Sequence, residues 1–542
     1  MQKKGKLELT WVGKYDEEKP VEPRILLEDP EKSYGDPDSE NMLIHGDNLI
    51  ALQALQQDYA GRIKCIYIDP PYNTGSAFEY YDDDVEHSIW LNLLYKRLVL
   101  MRELLTDDGV LCCQIDDSEG SYLKVLLDEV FGRSNYLNTF YIQVRYPNKT
   151  LAEDSDYQKI IEQCHVYAKQ KSQAKLNRPK AEYGIEKFKW KINELEHGEV
   201  VELGGKRVEI FKPGQYSIDE IEPSLTGLKE TWATGSLARV KASAGEFFEL
   251  YLAERKQKDG LGCLYKVEGI GEDGLGYRYI SGPKRASANK GKFYSGIPLN
   301  RLEELKNGGS YKYLPVSNFL DLAGSFGNCR SEGGVGFTGG KKPEILLQTL
   351  LNYYSDPGDY ILDSFLGSGT TAAVAMKTGR KFIGIEFGDH CYKLCKPRLD
   401  SVIDGDKTGI SKDVNWQGGG GYHFYELAPS LLVKNDKLPV YQINPTYTFD
   451  MLCEAICKIE GFKYKKQDVF CGYSSEKRFI HVTTEFVNAE YVRSLSQHLD
   501  EGQSLLIYAT KIQSDMILPD NIEVKKIPKD LLDKCNFESE VR

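Results

Sequence analysis

The sequence predicts an α/β protein whose mostly parallel sheet is written in two separated pieces. Three observations predict it. Between residues 42 and 168, short apolar runs alternate with stretches of helical period, which is the signature of strand–helix–strand units on one sheet. From about residue 171 the chain turns polar, mixed in charge and rich in turns. Near residue 343 the alternation resumes, with a Gly-rich turn between a strand and a helix. A length of 542 residues exceeds one ordinary core, so two or three domains are expected.

The elements follow in order. Residues 1–40 mix charge with Pro and Gly and read as an extended N-terminal arm. "NMLIHGDNLIALQAL" reads as strand, Gly-Asp turn and helix, with Asn48 the better cap. "RIKCIYID" is the next strand. Pro70 and Pro71 end it, since proline lacks an N–H and fixes φ. In "HSIWLNLLYKRLVLMRELL", Trp90, Leu93, Leu94, Arg97, Leu98 and Met101 recur three and four apart, a helical face. "GVLCCQIDD" is a buried strand, "YLKVLLDEVFG" a helix stopped at Gly132, and "NTFYIQVRY" and "CHVYAKQ" are further strands. After the break, "KPEILLQTLLNYY" reads as a helix, "YILDSF" as a strand, "GSGTTAAVAMKTG" as a turn opening a helix, and "RKFIGIEF" as a strand. The expected domains are therefore 1–40, 41–170, an insert at 171–325, 326–400, a linker at 401–435 and a small α/β domain at 436–542.

Bulk composition excludes some classes. With 41% hydrophobic and 28% charged residues the chain is globular. No apolar window is long enough for a membrane span and the start lacks a signal-peptide core, so a cytoplasmic protein is expected. The net charge of −12 argues against a non-specific coat on nucleic acid. Twelve cysteines show no zinc-ligand spacing and read as buried free thiols, with no metal site expected.

Two stretches carry chemistry. "DSFLGSGTTA", Asp363 to Ala372, places Gly367, Gly369 and Ala372 as G-x-G-x-x-A between strand and helix. That turn lets backbone approach a cofactor closely. Glu386, 17 residues after Gly369, ends the next strand, where it could accept from ribose hydroxyls. NAD, FAD and S-adenosyl-L-methionine sites share this layout. "CIYIDPPYNTG" breaks the tie. An exocyclic amine is a poor nucleophile because its lone pair is delocalised into the ring. Two acceptors, the Asp69 carboxylate and the Pro70 carbonyl, would hold its N–H groups. The Pro70-Pro71 pair would fix the carbonyl's direction, and Tyr72 would offer a π-face to a base taken out of the stack.

With both motifs in view, the chain resembles the permuted β class of amino-methyltransferases, in which the catalytic motif precedes the cofactor motif. It further resembles the modification subunit of type III restriction–modification systems. The resemblance rests on "LIHGDNLIAL", "IYIDPPYNTG", "LLTDDGVLCCQIDD", "TGGKKPEILLQTLL", "ILDSFLGSGTTAAVA", "FIGIE" and "GGGGYHFYEL", over about residues 42–425. It implies a Rossmann-like, circularly permuted S-adenosyl-L-methionine-dependent methyltransferase sheet with an inserted target-recognition domain and a small C-terminal domain. It implies that Asp69, Pro70, Pro71 and Tyr72 form the catalytic loop. Asp363, Phe365, Gly367, Gly369 and Thr370 would line the cofactor, with Glu386 on its ribose, Asp47 near its adenine and Lys342 closing its methionine end.

Asp at the head of the loop implies N6 of adenine in duplex DNA. The family also implies a homodimer and an ATP-dependent restriction partner. Within the insert, Arg278, Lys284, Arg285, Lys290 and Lys292 lie among aromatic residues and are the expected DNA contacts. Cytosine-N4 methylation and a non-catalytic DNA-binding subunit are the competing readings.

Overall fold

The computed structural model describes residues 8–15, 19–73, 86–147, 157–232, 243–271, 273–288, 290–337 and 340–537. The chain divides into two compact units: Met1–Asn177 with Ser317–Arg542, and Arg178–Val316.

The first unit is built on an eleven-stranded sheet. Ten of its strands are β1 (Leu26–Glu28), β2 (Met42–His45), β3 (Ile63–Ile68), β4 (Leu105–Ile115), β5 (Tyr136–Gln143), β6 (Ile161–Ala168), β7 (Phe319–Asp321), β8 (Tyr360–Asp363), β9 (Lys381–Glu386) and β10 (Gly421–Leu427). They lie in the order β1-β10-β2-β9-β8-β3-β4-β6-β5-β7. The run from β10 to β4 is parallel throughout. β6 then turns antiparallel to both β4 and β5, and β1 is antiparallel to β10.

The central strands read as near-continuous apolar runs because helices cover both faces. In β3 only Lys64 escapes full burial. The helices that matter for the site are α1 (Asn48–Tyr59), α2 (His87–Leu104), α3 (Gly120–Leu127), α4 (Glu344–Tyr354), α5 (Thr370–Lys377) and α6 (Lys396–Ile403). α2 buries Trp90, Leu91, Leu94, Arg97, Leu98, Met101 and Leu104, most of the expected stripe, with Leu93 only half-buried at its margin.

The topology sets the site. β3 pairs with β8, although the two are almost 300 residues apart in the chain. From β3 the chain crosses through α2 to β4 on one side. From β8 it crosses through α5 to β9 on the other. The crossovers leave in opposite directions, so a crevice opens at the carboxyl ends of β3 and β8. Ligands of open α/β sheets bind at such a switch point.

The second unit, Arg178–Val316, is an antiparallel sheet of eight strands. Alternate residues face opposite sides. Val208, Ile210, Tyr265, Val267, Ile280 and Phe293 pack on one side under Phe247, Phe248 and Leu252. Phe211, Leu228, Leu264, Tyr279 and Tyr294 pack on the other.

Four boundary expectations differ from what is observed. Residues 317–325 lie outside the insert's unit, because Phe319–Asp321 extends the main sheet beside β5. The expected linker 401–435 contains β10, which pairs in parallel with β2. Its Gly-rich lead-in masked a buried strand. The arm is docked: β1 pairs with β10, and the buried Glu22 accepts from Leu431 N (2.7 Å) and Ser430 Oγ (2.6 Å). The C-terminal segment has its own five-stranded sheet, yet Ile25, Ala428, Leu431 and Leu432 belong to its core, so it is continuous with the first unit. All twelve cysteines are buried and free.

Candidate active site

β3 delivers Asp69 and β8 delivers Asp363 to the same edge of the sheet. Leu362 is in register with Ile66, so the two carboxylates leave adjacent strand ends. The 300-residue gap between the motifs closes there.

Asp69 and Tyr72 of the D-P-P-Y loop sit in a dense polar network. Tyr72 Oη lies 2.6 Å from Asp69 Oδ1 and 2.8 Å from Glu162 Oε2. Lys342 Nζ is 2.8 Å from Asp69 Oδ2, 3.5 Å from Glu162 Oε2, and 4.9 Å from the centre of the Tyr72 ring. Gln114 Nε2 donates to Glu162 Oε2 (2.6 Å), and Tyr67 Oη donates to Gln114 Oε1 (2.7 Å), which fixes the amide's orientation. Burial pushes the Asp69 carboxyl above the usual carboxylate range, Lys342 opposes the rise and Glu162 adds to it. Trp90 Nε1 donates to the Pro71 carbonyl at 2.8 Å. That bond anchors the Pro-Pro turn to the core.

The Gly turn sits directly beside this network. Gly367 (φ 58°) and Gly369 (φ 80°) adopt left-handed backbone that disfavours any residue with a Cβ. Gly369 caps α5. Glu386 Oε2 accepts from Gly367 N, and its Oε1 accepts from Phe387 N at 2.8 Å. Asp363 accepts from Phe365 N (2.9 Å) and Thr371 Oγ1 (2.5 Å), and burial raises its carboxyl to about 7. Behind the turn, the fully buried Arg398 donates to Thr370 Oγ1 (2.7 Å) and pairs with the fully buried Glu344 (2.8 Å). Lys377 also pairs with Glu344, at 2.9 Å.

One assignment changes, the cap of α1, and two further expected residues find their places. Asp47, not Asn48, caps α1, accepting from Leu49 N and Ile50 N. Asn48 instead donates to Ser364 O at 2.7 Å and accepts from Arg97, tying α1 and α2 to the Gly turn. Lys342 lies on Asp69, and Pro343 takes the cap position of α4. Phe365 is buried in the main core. Glu162, Gln114 and Arg398 were missed. Only the three-dimensional pairing of β4, β6 and β3 brings the first two to Asp69, so no local motif marks them.

In the second unit, Arg278 pairs with Asp273 (3.3 Å), while Lys292 pairs with Glu230 (2.6 Å) and lies over the Trp232 ring. Lys284, Arg285 and Lys290 are exposed. A second cluster was missed: burial, then Lys187 and Lys312, push the Lys229 ammonium down. These lysines are scattered in sequence and meet only in the fold.

Fold and site together define a class: a doubly wound α/β protein with a Gly turn and a D-P-P-Y loop at its switch point. A family model described as DNA methylase, of the N6/N4 type, matches residues 63–397, more than half of the chain. The chain belongs to that family. It is 34% identical over 451 residues to the probable type III restriction-modification enzyme HindVI Mod subunit of Haemophilus influenzae, covering 79% of this chain and 59% of that one. It is 25% identical over 452 residues to the EcoP15I Mod subunit of Escherichia coli, covering 73% and 67%. It is 27% identical over 359 residues to the type II methyltransferase M.KpnI of Klebsiella pneumoniae, covering 61% and 75%. The chain thus spans about three fifths of the length of the HindVI relative. Among the described residues, no helix is long and apolar enough to cross a membrane.

Proposed function

We propose that this chain methylates N6 of adenine in duplex DNA, using S-adenosyl-L-methionine, as the modification and recognition subunit of a type III restriction–modification system. The observation that carries the reading is the shared strand edge. Asp69, which suits an amine, and the Gly turn, which suits an adenosine, end adjacent parallel strands.

The residues present fit the cofactor. Gly367 N and Phe387 N hold the Glu386 carboxylate at the end of β9, and a carboxylate suits a ribose hydroxyl. Gly367 and Gly369 present bare backbone beside it. When bound, S-adenosyl-L-methionine supplies an electrophilic methyl group on a sulfonium.

The chain's own residues do the rest. Asp69 accepts one N–H of the amine and the Pro70 carbonyl the other, so the nitrogen lone pair turns towards the methyl donor. Trp90 holds the Pro71 carbonyl and thereby the direction of the turn. Tyr72 stacks on the extruded base. Positioning of this kind supplies several kcal/mol of a transfer barrier, on the order of 7–11 kcal/mol in well-oriented cases. The exposed Lys284, Arg285 and Lys290, and the Lys187–Lys229–Lys312 cluster, would contact phosphates. Arg278 and Lys292 have acidic partners and would serve as positioned rather than free cations. Homodimerisation and an ATP-dependent restriction partner belong to the same reading, with the cytoplasm as the compartment.

Sequencing of modified bases in DNA from cells expressing the chain tests it. N6-methyladenine at one recurrent motif, absent with Asp69→Ala, is the expected result. N4-methylcytosine would select the cytosine reading, and no modified base would overturn both.

A further inference from the structure

Each oxygen of Asp69 already accepts one donor. Tyr72 Oη contacts its Oδ1 at 2.6 Å and Lys342 Nζ its Oδ2 at 2.8 Å. An amine N–H arriving at Asp69 competes with these two donors for the carboxylate. Both already face the same second acceptor. Glu162 Oε2 is 2.8 Å from the hydroxyl and 3.5 Å from the ammonium. A hydroxyl carries one proton, so Tyr72 satisfies only one of the two carboxylates at a time. Gln114 holds Glu162 in place from behind, and Tyr67 holds Gln114.

We propose that Glu162 is the positioning residue that empties Asp69 for the substrate amine: as the base enters, the Lys342 ammonium and the Tyr72 hydroxyl proton swing from Asp69 to Glu162. No covalent bond breaks. Two hydrogen bonds change acceptor and a third, amine to Asp69, forms. The ammonium needs to move by less than an ångström at Glu162 to reach ordinary ion-pair distance from its 3.5 Å starting point. The two carboxylates therefore have different tasks: Asp69 meets the base, and Glu162 stores the donors that the base displaces. This inference rests on the amine-methylation reading above.

The charged and titratable groups facing Asp69 are Lys342, Glu162, Tyr72, Tyr67, Cys113 and Asp363. Among them Glu162 raises the Asp69 carboxyl and Lys342 lowers it. Removing the charge of Glu162 must therefore lower it.

The test uses the full chain, tritiated S-adenosyl-L-methionine and unmodified genomic DNA. In Glu162→Gln the ammonium has one carboxylate left, Asp69, and stays there. kcat should fall about tenfold or more, the weight of one charge-assisted hydrogen bond. Cofactor affinity by calorimetry should stay within about twofold, since the Gly turn is untouched. The acid limb of the kcat profile should move to lower pH, which general damage to the site would not produce. Wild-type kcat in Glu162→Gln overturns the inference, as does an unmoved acid limb. Inactivity of the wild type itself would count against the methylation reading, not against this step.

Discussion

Trp90→Phe separates a loop anchor from a core residue. Trp90 is 1% exposed, and its indole N–H donates to the Pro71 carbonyl at 2.8 Å. Phenylalanine keeps most of the apolar packing but cannot donate. An unsatisfied buried carbonyl costs about 1–3 kcal/mol. The smaller ring adds roughly 1 kcal/mol for the space it leaves. Stability should fall by about 2–4 kcal/mol, read as a lower urea midpoint. Function should fall further than that. Pro71 sits between the Pro70 carbonyl and Tyr72, so a freed turn misplaces both. A displacement near 1 Å costs on the order of a hundredfold in kcat. Cofactor KM should hardly change. Leu94→Ala is the control. Leu94 is fully buried on the same helix, in the same core as Trp90. It should cost a similar or larger amount of stability, about 2–5 kcal/mol, yet keep its kcat well below its midpoint. If Trp90→Phe loses stability but keeps wild-type kcat, the bond to Pro71 does not position the loop.

Three further outcomes are expected. Arg398→Met breaks a fully buried pair with Glu344 and removes the donor to Thr370 Oγ1. It should cost about 3 kcal/mol, the low end for such pairs, because Lys377 remains on Glu344. Calorimetry should show weaker cofactor binding, and an unchanged Kd would place Arg398 outside the site. Asp363 titrates near 7 in the fold against about 4 in the unfolded chain. The native state then binds more protons between those values, so this group's contribution is full below about pH 4 and is lost as pH rises through 7. Melting of Asp363→Asn from pH 4 to 8 should show a shallower decline than the wild type, and parallel curves would contradict the assignment. Replacing Lys284, Arg285 and Lys290 by Gln should leave melting unchanged. The slope of log Kd against log salt for duplex DNA, read by anisotropy, should shrink by about 0.9 for each phosphate that is no longer neutralised. An unaltered slope would show that these side chains only face solvent.

How much of this was legible in the sequence depends on the range of the interaction that decides each feature. β3, β8, α2 and α5 were legible because near-neighbour rules set them: apolar runs, a three-and-four spacing, a proline stop and a Gly turn. The places of Asp69 and Glu386 at strand ends were legible for the same reason, since each lies where an apolar run meets a turn. Glu162 was not. It opens β6, an ordinary place for an acid, and becomes part of the site only because β6 runs antiparallel to β4 two strands away from β3. The Asp47–Asn48 cap was misjudged because both residues make good caps. A long-range bond from Asn48 to Ser364 O decided between them.

The same distinction explains why the site needs its missed residues. Burial raises a carboxyl at a strand end, as it does Asp69, and so weakens it as an acceptor of amine protons. Lys342 opposes that rise but occupies one of its oxygens. A site with only the local motif therefore shares its carboxylate with the cation that offsets its burial. A second carboxylate within reach of the same ammonium gives that cation another acceptor, although its charge adds to the rise at Asp69. In an open α/β sheet such a residue comes most directly from a neighbouring strand, where no local pattern in the chain would announce it.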